Sequence, residues 1–203
     1  MWDHNYKAPG AREIFEATRL AWRAEAWRLP EGTANRPFLS GVRVLDLCNV
    51  IAGPTVAGCL TRFGAEVVKI DPTHQAFDPS ITVLLSLQSA RGKESVLLDL
   101  STDDGRALFA RMARAADLVT FNGTRSQMRE LGLTGDQLAR HNSAVTIVQV
   151  SAFGGPRHAA SAEFKGVDEV LQAATGIMHR LKNEGAPPEE YAHFGTVDVA
   201  TGV

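Results

Sequence analysis

The chain has few of the features that mark disulfide-rich, secreted or membrane-spanning proteins. Its 203 residues include only 2 cysteines, Cys48 and Cys59, which excludes a disulfide scaffold and favours a reducing compartment. No stretch approaches the roughly 18 apolar residues of a membrane span. The first residues also lack the basic region and apolar run of a signal peptide. We therefore expect a cytoplasmic protein that does not enter a membrane.

A strong charge of either sign is also missing. The 21 basic and 23 acidic residues leave a net charge of −2, so no general field attracts nucleic acid or acidic lipid. Hydrophobic residues make up 44% and charged residues 22% of the chain, as in ordinary folded proteins. We expect no nucleic-acid partner, and any anion site must be local.

Short apolar runs alternate with amphipathic segments from residue 42 to 150. This alternation predicts an α/β fold: a Rossmann-like, doubly wound, mostly parallel sheet with flanking helices. Pro54 is expected in the first turn of the first helix, and Gly64 at its end. The predicted strands are "VRVLDL", "AEVVKI", "SVLLDL", "DLVTF" and "AVTIVQVS".

The N-terminal residues have a different pattern. Residues 11–28 predict an amphipathic helix, and "LPEGTANRPFLSG" reads as a linker because it holds Pro, Gly and Asn without periodicity. We place a domain boundary near residue 38. This gives an N-terminal helical extension over 1–37 and the main domain over 38–203.

Ligands of doubly wound sheets bind outside the carboxyl ends of the strands. The loops expected to matter are therefore 48–54, 71–80, 92–94 and 121–125. They hold no G-x-G-x-x-G motif, so a nicotinamide cofactor is disfavoured although Asp71 ends the second strand. Arg91 and Lys93 in "SARGKES" are candidates for binding phosphate, although a solvated turn is the simpler interpretation.

Single residues allow two interpretations each. Cys48 lies in the first loop but has no readable histidine partner, so an inert core thiol is favoured over a nucleophile. The histidines are isolated and predict no metal site. Asp168 and Asp198 each open a helical segment, and each is either a helix cap or a working carboxylate.

Seven stretches occur in one order: "LSGVRVLDLCNVIAGP", "FGAEVVKID", "RGKESVLLDLSTDDGRALFARMARAADLV", "LGLTGDQL", "VSAFG", "GVDEVLQAATGIM" and "VDVATG". This series resembles the class III coenzyme A-transferase family (CaiB/BaiF-like), which also contains the α-methylacyl-CoA racemases. The resemblance runs from about residue 38 to the end. The first 37 residues match nothing recognisable in the family.

The resemblance implies a coenzyme A transfer between an acyl-CoA thioester and a carboxylic acid. Asp198 would be the nucleophile and would form a covalent aspartyl intermediate, and Asp168 would assist it. Lys165 and Asn122 match coenzyme-lining positions, and Arg91 and Lys93 are further candidates there. Coenzyme A is then a substrate, and no permanently bound cofactor is expected.

Departures from the family pattern keep two alternatives open. Racemases carry His directly before the acid, where this chain has Val167, and His141 is out of register with their second base, so transferase is favoured over racemase. Gly123 stands where the family has an aromatic residue, and Glu130 where it has a basic one. A non-catalytic coenzyme A-binding subunit is the other alternative.

The resemblance also concerns length and assembly. Family members are roughly twice as long and form intertwined dimers, so we expect this chain to be incomplete. Its expected partner is a second copy or a complementary C-terminal half.

Overall fold

The computed structural model describes residues 36–74, 79–154, 163–190 and 195–203. The helix predicted over 11–28 lies outside these ranges, as do His158 and His193. The proposed boundary near residue 38 stays a prediction.

The described part of the chain holds one sheet of five parallel strands, in the order β3-β2-β1-β4-β5. The predicted α/β class is thereby confirmed. The strand order reverses between β1 and β4, as in a doubly wound sheet. The strands are β1 (Arg43–Asp46), β2 (Glu66–Asp71), β3 (Glu94–Leu97), β4 (Leu118–Asn122) and β5 (Thr146–Val150).

Helices connect the strands and follow the last one. The apolar segment "ITVLLSLQ" is helical, and "GVDEVLQAATGIM" forms two helices separated at Gly176, whose φ is 78°. The helices are α1 (Ala52–Arg62), α2 (Pro79–Ser89), α3 (Asp103–Ala113), α4 (Arg125–Glu130), α5 (Gly135–Ala139), α6 (Asp168–Ala174), α7 (Ile177–Arg180) and α8 (Thr196–Gly202).

Neighbouring residues of a strand point to opposite faces of the sheet, and both Val44 and Leu45 of β1 are buried. Both faces of the sheet are therefore covered. On β1, Leu45 joins the larger core cluster, together with Phe109 of α3 and Leu138 of α5. Val44 joins a smaller cluster with Ala57 of α1. The helices α3 and α5 therefore cover one face of the sheet, and α1 covers the other.

The first helix shows how closely its ends follow the sequence. It begins at Ala52, two residues before Pro54, which occupies the first turn where a missing N–H costs nothing. At the other end, Gly64 adopts a φ of 96°. Its N–H and that of Ala65 bond to the carbonyls of Thr61 and Leu60 at 2.9 and 3.0 Å. This Schellman motif ends the helix as the glycine predicted.

The third strand is shorter than predicted from "SVLLDL". It ends at Leu97, although Leu98 still donates a backbone hydrogen bond to Asp71 at 2.8 Å. The Asp99 carboxylate accepts from the backbone N–H and hydroxyl of Ser101 at 2.9 and 2.6 Å. This local turn competes with the strand and brings Thr102 into position to cap α3.

Candidate functional site

The loop after β1 and the end of β4 meet at the point where the strand order reverses. The Asn122 side chain donates to the carbonyl of Asn49 at 2.7 Å and accepts from its N–H at 2.6 Å. One amide therefore replaces a pair of backbone bonds and holds the loop to the neighbouring strand. Asn122 shapes this edge of the sheet through Asn49, with its amide oxygen and nitrogen both engaged there.

The same loop contains a strained residue. Val50 has a φ of 69°, in the left-handed region that β-branched residues rarely adopt. Such conformations persist where surrounding contacts hold them, and they cluster at ligand sites. The Asn49–Asn122 pair is one such contact, on the residue directly before Val50.

A buried ion pair lies behind this loop. The side chains of Asp46 and Lys93 are 0% and 1% exposed, and their charged atoms lie 2.8 Å apart. The second Asp46 oxygen accepts from the Thr120 hydroxyl at 2.8 Å and from the Cys48 N–H at 3.0 Å. Lys93 also donates to the carbonyl of Pro54 at 2.8 Å. The pair thus joins β1, β4, the approach to β3 and the first turn of α1.

This arrangement corrects the expectation for Lys93 and the loop 92–94. The segment leads into β3 instead of leaving a strand, and the ammonium group of Lys93 is enclosed by protein acceptors. It has no exposed face for a phosphate, so we do not include Lys93 in the coenzyme site.

Cys48 is fully buried beside this pair. Burial raises the pKa of its thiol well above the ordinary value, and the neighbouring Asp46 carboxylate raises it further. A thiol held in its protonated form is a poor nucleophile. The geometry agrees with the inert core cysteine favoured by the sequence.

Asp168 has a role that the sequence did not predict in full. It occupies the first position of α6, whose own start has no side-chain cap. One carboxylate oxygen accepts from the backbone N–H groups of Val197 and Asp198, at 2.7 and 2.9 Å. The other accepts from the Gln172 side chain at 2.5 Å. Asp168 therefore caps α8, the helix that carries Asp198, and not α6, the helix that it begins.

Asp198 lies in the first turn of α8 and is half-buried. Burial raises the pKa of its carboxyl to about 6, and the negative charges of Asp168 and Glu169 add to the effect. Within the described residues, no hydrogen bond or ion pair reaches this carboxylate. It is therefore a partly desolvated carboxylate that is still ionised at neutral pH.

Close contacts fix α8 against the start of α1. A Cβ added at Gly202 would lie 2.5 Å from the Ala52 carbonyl oxygen and from the Thr55 Cβ. A Cβ at Gly195, where φ is 62°, would lie 2.8 Å from the Ile51 side chain. Only glycine permits this approach at both ends of the helix. Asp198 is thereby placed beside the loop that follows β1.

The remaining predicted cations lie in different places. Lys165 is exposed, three residues before Asp168. Arg91 is exposed in the turn before β3, where its carbonyl accepts from Thr61 near the far end of α1 at 3.2 Å. Thr61 is nine residues beyond Ala52, about 14 Å at 1.5 Å per residue. The structure therefore brings Asp198, Asp168 and Asn122 to one edge and leaves Arg91 away from it.

Sequence reasoning missed Lys93 as the partner of Asp46, and Gln172 as the partner of Asp168. The signal for the first was present, because Asp46 ends an apolar strand and a buried carboxylate needs a cation or donors.

In the described ranges, no group of His, Cys, Asp and Glu side chains is arranged to hold a metal ion. None of the described helices combines the length and apolar character of a bilayer crossing.

Comparison with known proteins gives consistent matches over this region. The pattern of CoA-transferase family III matches residues 39–203. The CoA-transferase/lyase DddD of Marinomonas sp. (strain MWYL1) is 42% identical over 171 residues, which are 83% of this chain and 20% of that protein. The succinate–glutarate CoA-transferase of Agrobacterium fabrum (strain C58 / ATCC 33970) is 30% identical, over 83% of this chain and 45% of that protein.

A solved structure shares the fold. A CAIB/BAIF family protein from Brucella suis superposes with a TM-score of 0.72 at 27% identity, covering 83% of this chain and 46% of that one. The chain thus spans less than half of the Agrobacterium fabrum enzyme and of the Brucella suis protein, and a fifth of DddD.

Proposed function

Because the chain belongs to CoA-transferase family III, we propose that it supplies the nucleophile and part of the coenzyme site for a transfer of coenzyme A. The donor is an acyl-CoA thioester and the acceptor a carboxylic acid, the two kinds of substrate implied by relatives such as the succinate–glutarate enzyme. Asp198 is the proposed nucleophile.

The observation that carries this proposal is the environment of Asp198. Its pKa of about 6 leaves the carboxylate ionised at pH 7 but more basic than an exposed aspartate. No described donor stabilises its negative charge, so its oxygens are available for attack. Its place in the first turn of α8 favours the anion through the helix dipole, and the partly apolar setting limits hydrolysis of an acyl intermediate.

The proposed reaction proceeds by reversible acyl transfers. An Asp198 oxygen attacks the thioester carbonyl, the C–S bond breaks, and a mixed anhydride and coenzyme A thiolate form. The thiolate attacks the Asp198 carbonyl carbon of the anhydride, which releases the donor's acid and leaves an aspartyl-CoA thioester. The acceptor carboxylate repeats these two steps in reverse order, so that acceptor acyl-CoA leaves and the Asp198 carboxylate is regenerated.

We propose Asp168 as a positioning residue in this reaction. Its two oxygens accept hydrogen bonds from Val197, Asp198 and Gln172, so it is committed to holding the start of α8. Its charge also keeps the Asp198 carboxylate more basic. Asn122 acts on the coenzyme side through the loop at Asn49, and Lys165 is the exposed cation nearest in sequence to Asp168.

The surface around Asp168 supports a further polypeptide partner. Phe164, Val167 and Val170 are exposed by 63%, 57% and 45%, although a mixed anhydride needs protection from water. We propose that a second copy of the chain, or a complementary C-terminal half, covers this surface during the reaction.

Trapping with hydroxylamine tests the nucleophile. The chain is incubated with succinyl-CoA or acetyl-CoA and hydroxylamine, and the peptide containing Asp198 is analysed by mass spectrometry for a hydroxamate. We expect the adduct in the wild type and none in Asp198→Asn. Asp136→Asn is the matched control, because Asp136 is also a first-turn acid of a short helix but is exposed.

Each outcome of this experiment selects a function. A chain that binds coenzyme A but never forms the adduct, even with its complementary half present, is a non-catalytic binding subunit. Exchange of the α-proton of a 2-methylacyl-CoA with solvent, without adduct, indicates the racemase. An adduct yield that rises more steeply than chain concentration supports a site completed by a second copy.

A further inference from the structure

A polar cavity of about 320 Å³ opens between the carboxyl ends of β4 and β5, and its lining includes Arg125, Gln149, Ser151 and Gly154. We propose that this cavity binds a phosphate group of the coenzyme, with Arg125 as the cation. The inference rests on the proposed function and adds a binding residue to it. Arg125 is outside the set of cations predicted from the sequence.

The charge of Arg125 is not neutralised by the described residues. Its side chain is exposed, and no described carboxylate pairs with it. The acid that approaches α4 is Glu163, which accepts from the hydroxyl and N–H of Ser126 at 2.6 and 3.2 Å. The cation that acts on Glu163 is Arg129, one turn further along the helix. The guanidinium of Arg125 therefore remains available for a bidentate contact with an oxyanion.

The opposite wall of the cavity is preorganised. Gln149 donates to the carbonyl of Gly123 at 3.0 Å, which fixes its side chain across the gap between the two strands. The Ser151 hydroxyl has no described partner and lies against Gly154, where an added Cβ would collide with it. Glycine at position 154 thus leaves room for the hydroxyl to serve as a second donor.

The cavity wall is also connected to the proposed nucleophile. Ala152 contacts Gly166 so closely that a Cβ at residue 166 would overlap it. Phe153 and Phe164 form an edge-to-face pair with ring centroids 6.4 Å apart. The segment held in this way contains Lys165 and leads directly into Asp168. An anion in the cavity therefore lies along the same surface as the start of α8.

Binding measurements on the 203-residue chain test the proposal. Coenzyme A, 3′-dephospho-coenzyme A and pantetheine, which has no phosphate, are titrated calorimetrically into wild type, Arg125→Gln and Arg129→Gln. Arg129 is the matched control because it is exposed on the same helix and is not among the lining residues. We expect Arg125→Gln to weaken coenzyme A binding about 10- to 150-fold, as for a lost charge-assisted hydrogen bond. Pantetheine binding should not change.

The outcomes separate this inference from the proposed function. If coenzyme A binds equally to both variants, the phosphate site is wrong while the transferase proposal stands. If the wild type binds no coenzyme A, the proposed function fails, and inorganic pyrophosphate becomes the probe. Shifts of the Ser151 and Gly154 amide resonances that vanish in Arg125→Gln would then support the phosphate site alone, and their absence would overturn it. Arg125-dependent binding of succinate without any effect on coenzyme A would assign the cavity to the acid instead.

Discussion

On the face of the sheet covered by α3, α4 and α5, each of these helices begins with a local cap. Thr102, Thr124 and Thr134 each cap the helix that follows them, and the last two form complete capping boxes with Gln127 and Gln137. At the carboxyl edge, polar contacts join residues far apart in the sequence. Asp46 and Lys93 are 47 residues apart, and Asp168 is 30 residues from the Asp198 N–H that it binds.

This difference separates parts that can form on their own from parts that require the complete fold. A helix with its own cap is stabilised by contacts among a few adjacent residues. The start of α8 depends on α6, and the loop after β1 depends on β4. Functional sites often depart from local consistency in this way, because their geometry is imposed by distant parts of the chain.

The largest expected effect comes from breaking the buried ion pair. Lys93→Met leaves the Asp46 carboxylate buried without its cation, so the free energy of unfolding should fall by about 3–5 kcal/mol. Urea denaturation measures the change. The exposed pair Arg106–Asp103, which is local in sequence, supplies the control Arg106→Met with little change.

A second variant keeps this test informative. Replacing both members, as Asp46→Leu with Lys93→Met, removes the unpaired charge and should recover most of the lost stability. If Lys93→Met were as stable as Arg106→Met, the remote ion pair would contribute no more to stability than the local one. The proposed difference between the two kinds of pair would then be wrong.

A smaller effect is expected from removing the remote cap. Asp168→Ala should raise hydrogen exchange at the Val197 and Asp198 amides about 10-fold, the equivalent of a cap worth about 1.4 kcal/mol. The control Thr124→Ala should affect α4 alone. Unchanged protection at residues 197 and 198 would contradict the assignment of Asp168 as the cap of α8.

The smallest effect concerns pH. Because the pKa of Asp198 is raised from 3.8 to about 6, the folded chain holds this proton more tightly than the unfolded chain. Ionising Asp198 therefore destabilises the fold as pH rises from about 4 to 6. The Tm of Asp198→Asn should exceed that of the wild type above pH 6, and the difference should diminish towards pH 4. A difference independent of pH would rule out this titration as its source.

The architecture was largely predictable from the sequence, because it depends on local patterns. Alternating strands and helices predicted the doubly wound sheet, and Gly64 predicted the end of α1. The shortened β3 was not predicted, since the Asp99 turn competes with the strand only once Thr102 begins α3.

For the candidate site, the sequence indicated two acids but not the contacts that they make. The resemblance selected Asp168 and Asp198, yet nothing in "GVDEVLQ" shows that Asp168 caps a helix 30 residues later. Lys93 looked like a surface cation in "SARGKES", and only the register of β3 beside β2 brings it to Asp46. Arg125 was missed because its cavity needs β5 and the following loop.

The burial of the Cys48 thiol has a practical consequence for assays of coenzyme A transfer. A disulfide reagent that detects the freed sulfur of coenzyme A reacts with thiolates, so it should pass over Cys48 while the chain is folded. Unfolding would expose the Cys48 thiol to the reagent. The other cysteine, Cys59, is only partly buried, so the reagent that Cys48 takes up on unfolding is one equivalent in addition to any taken up by Cys59. That one equivalent would report loss of the native state, whereas turnover would give a repeated signal.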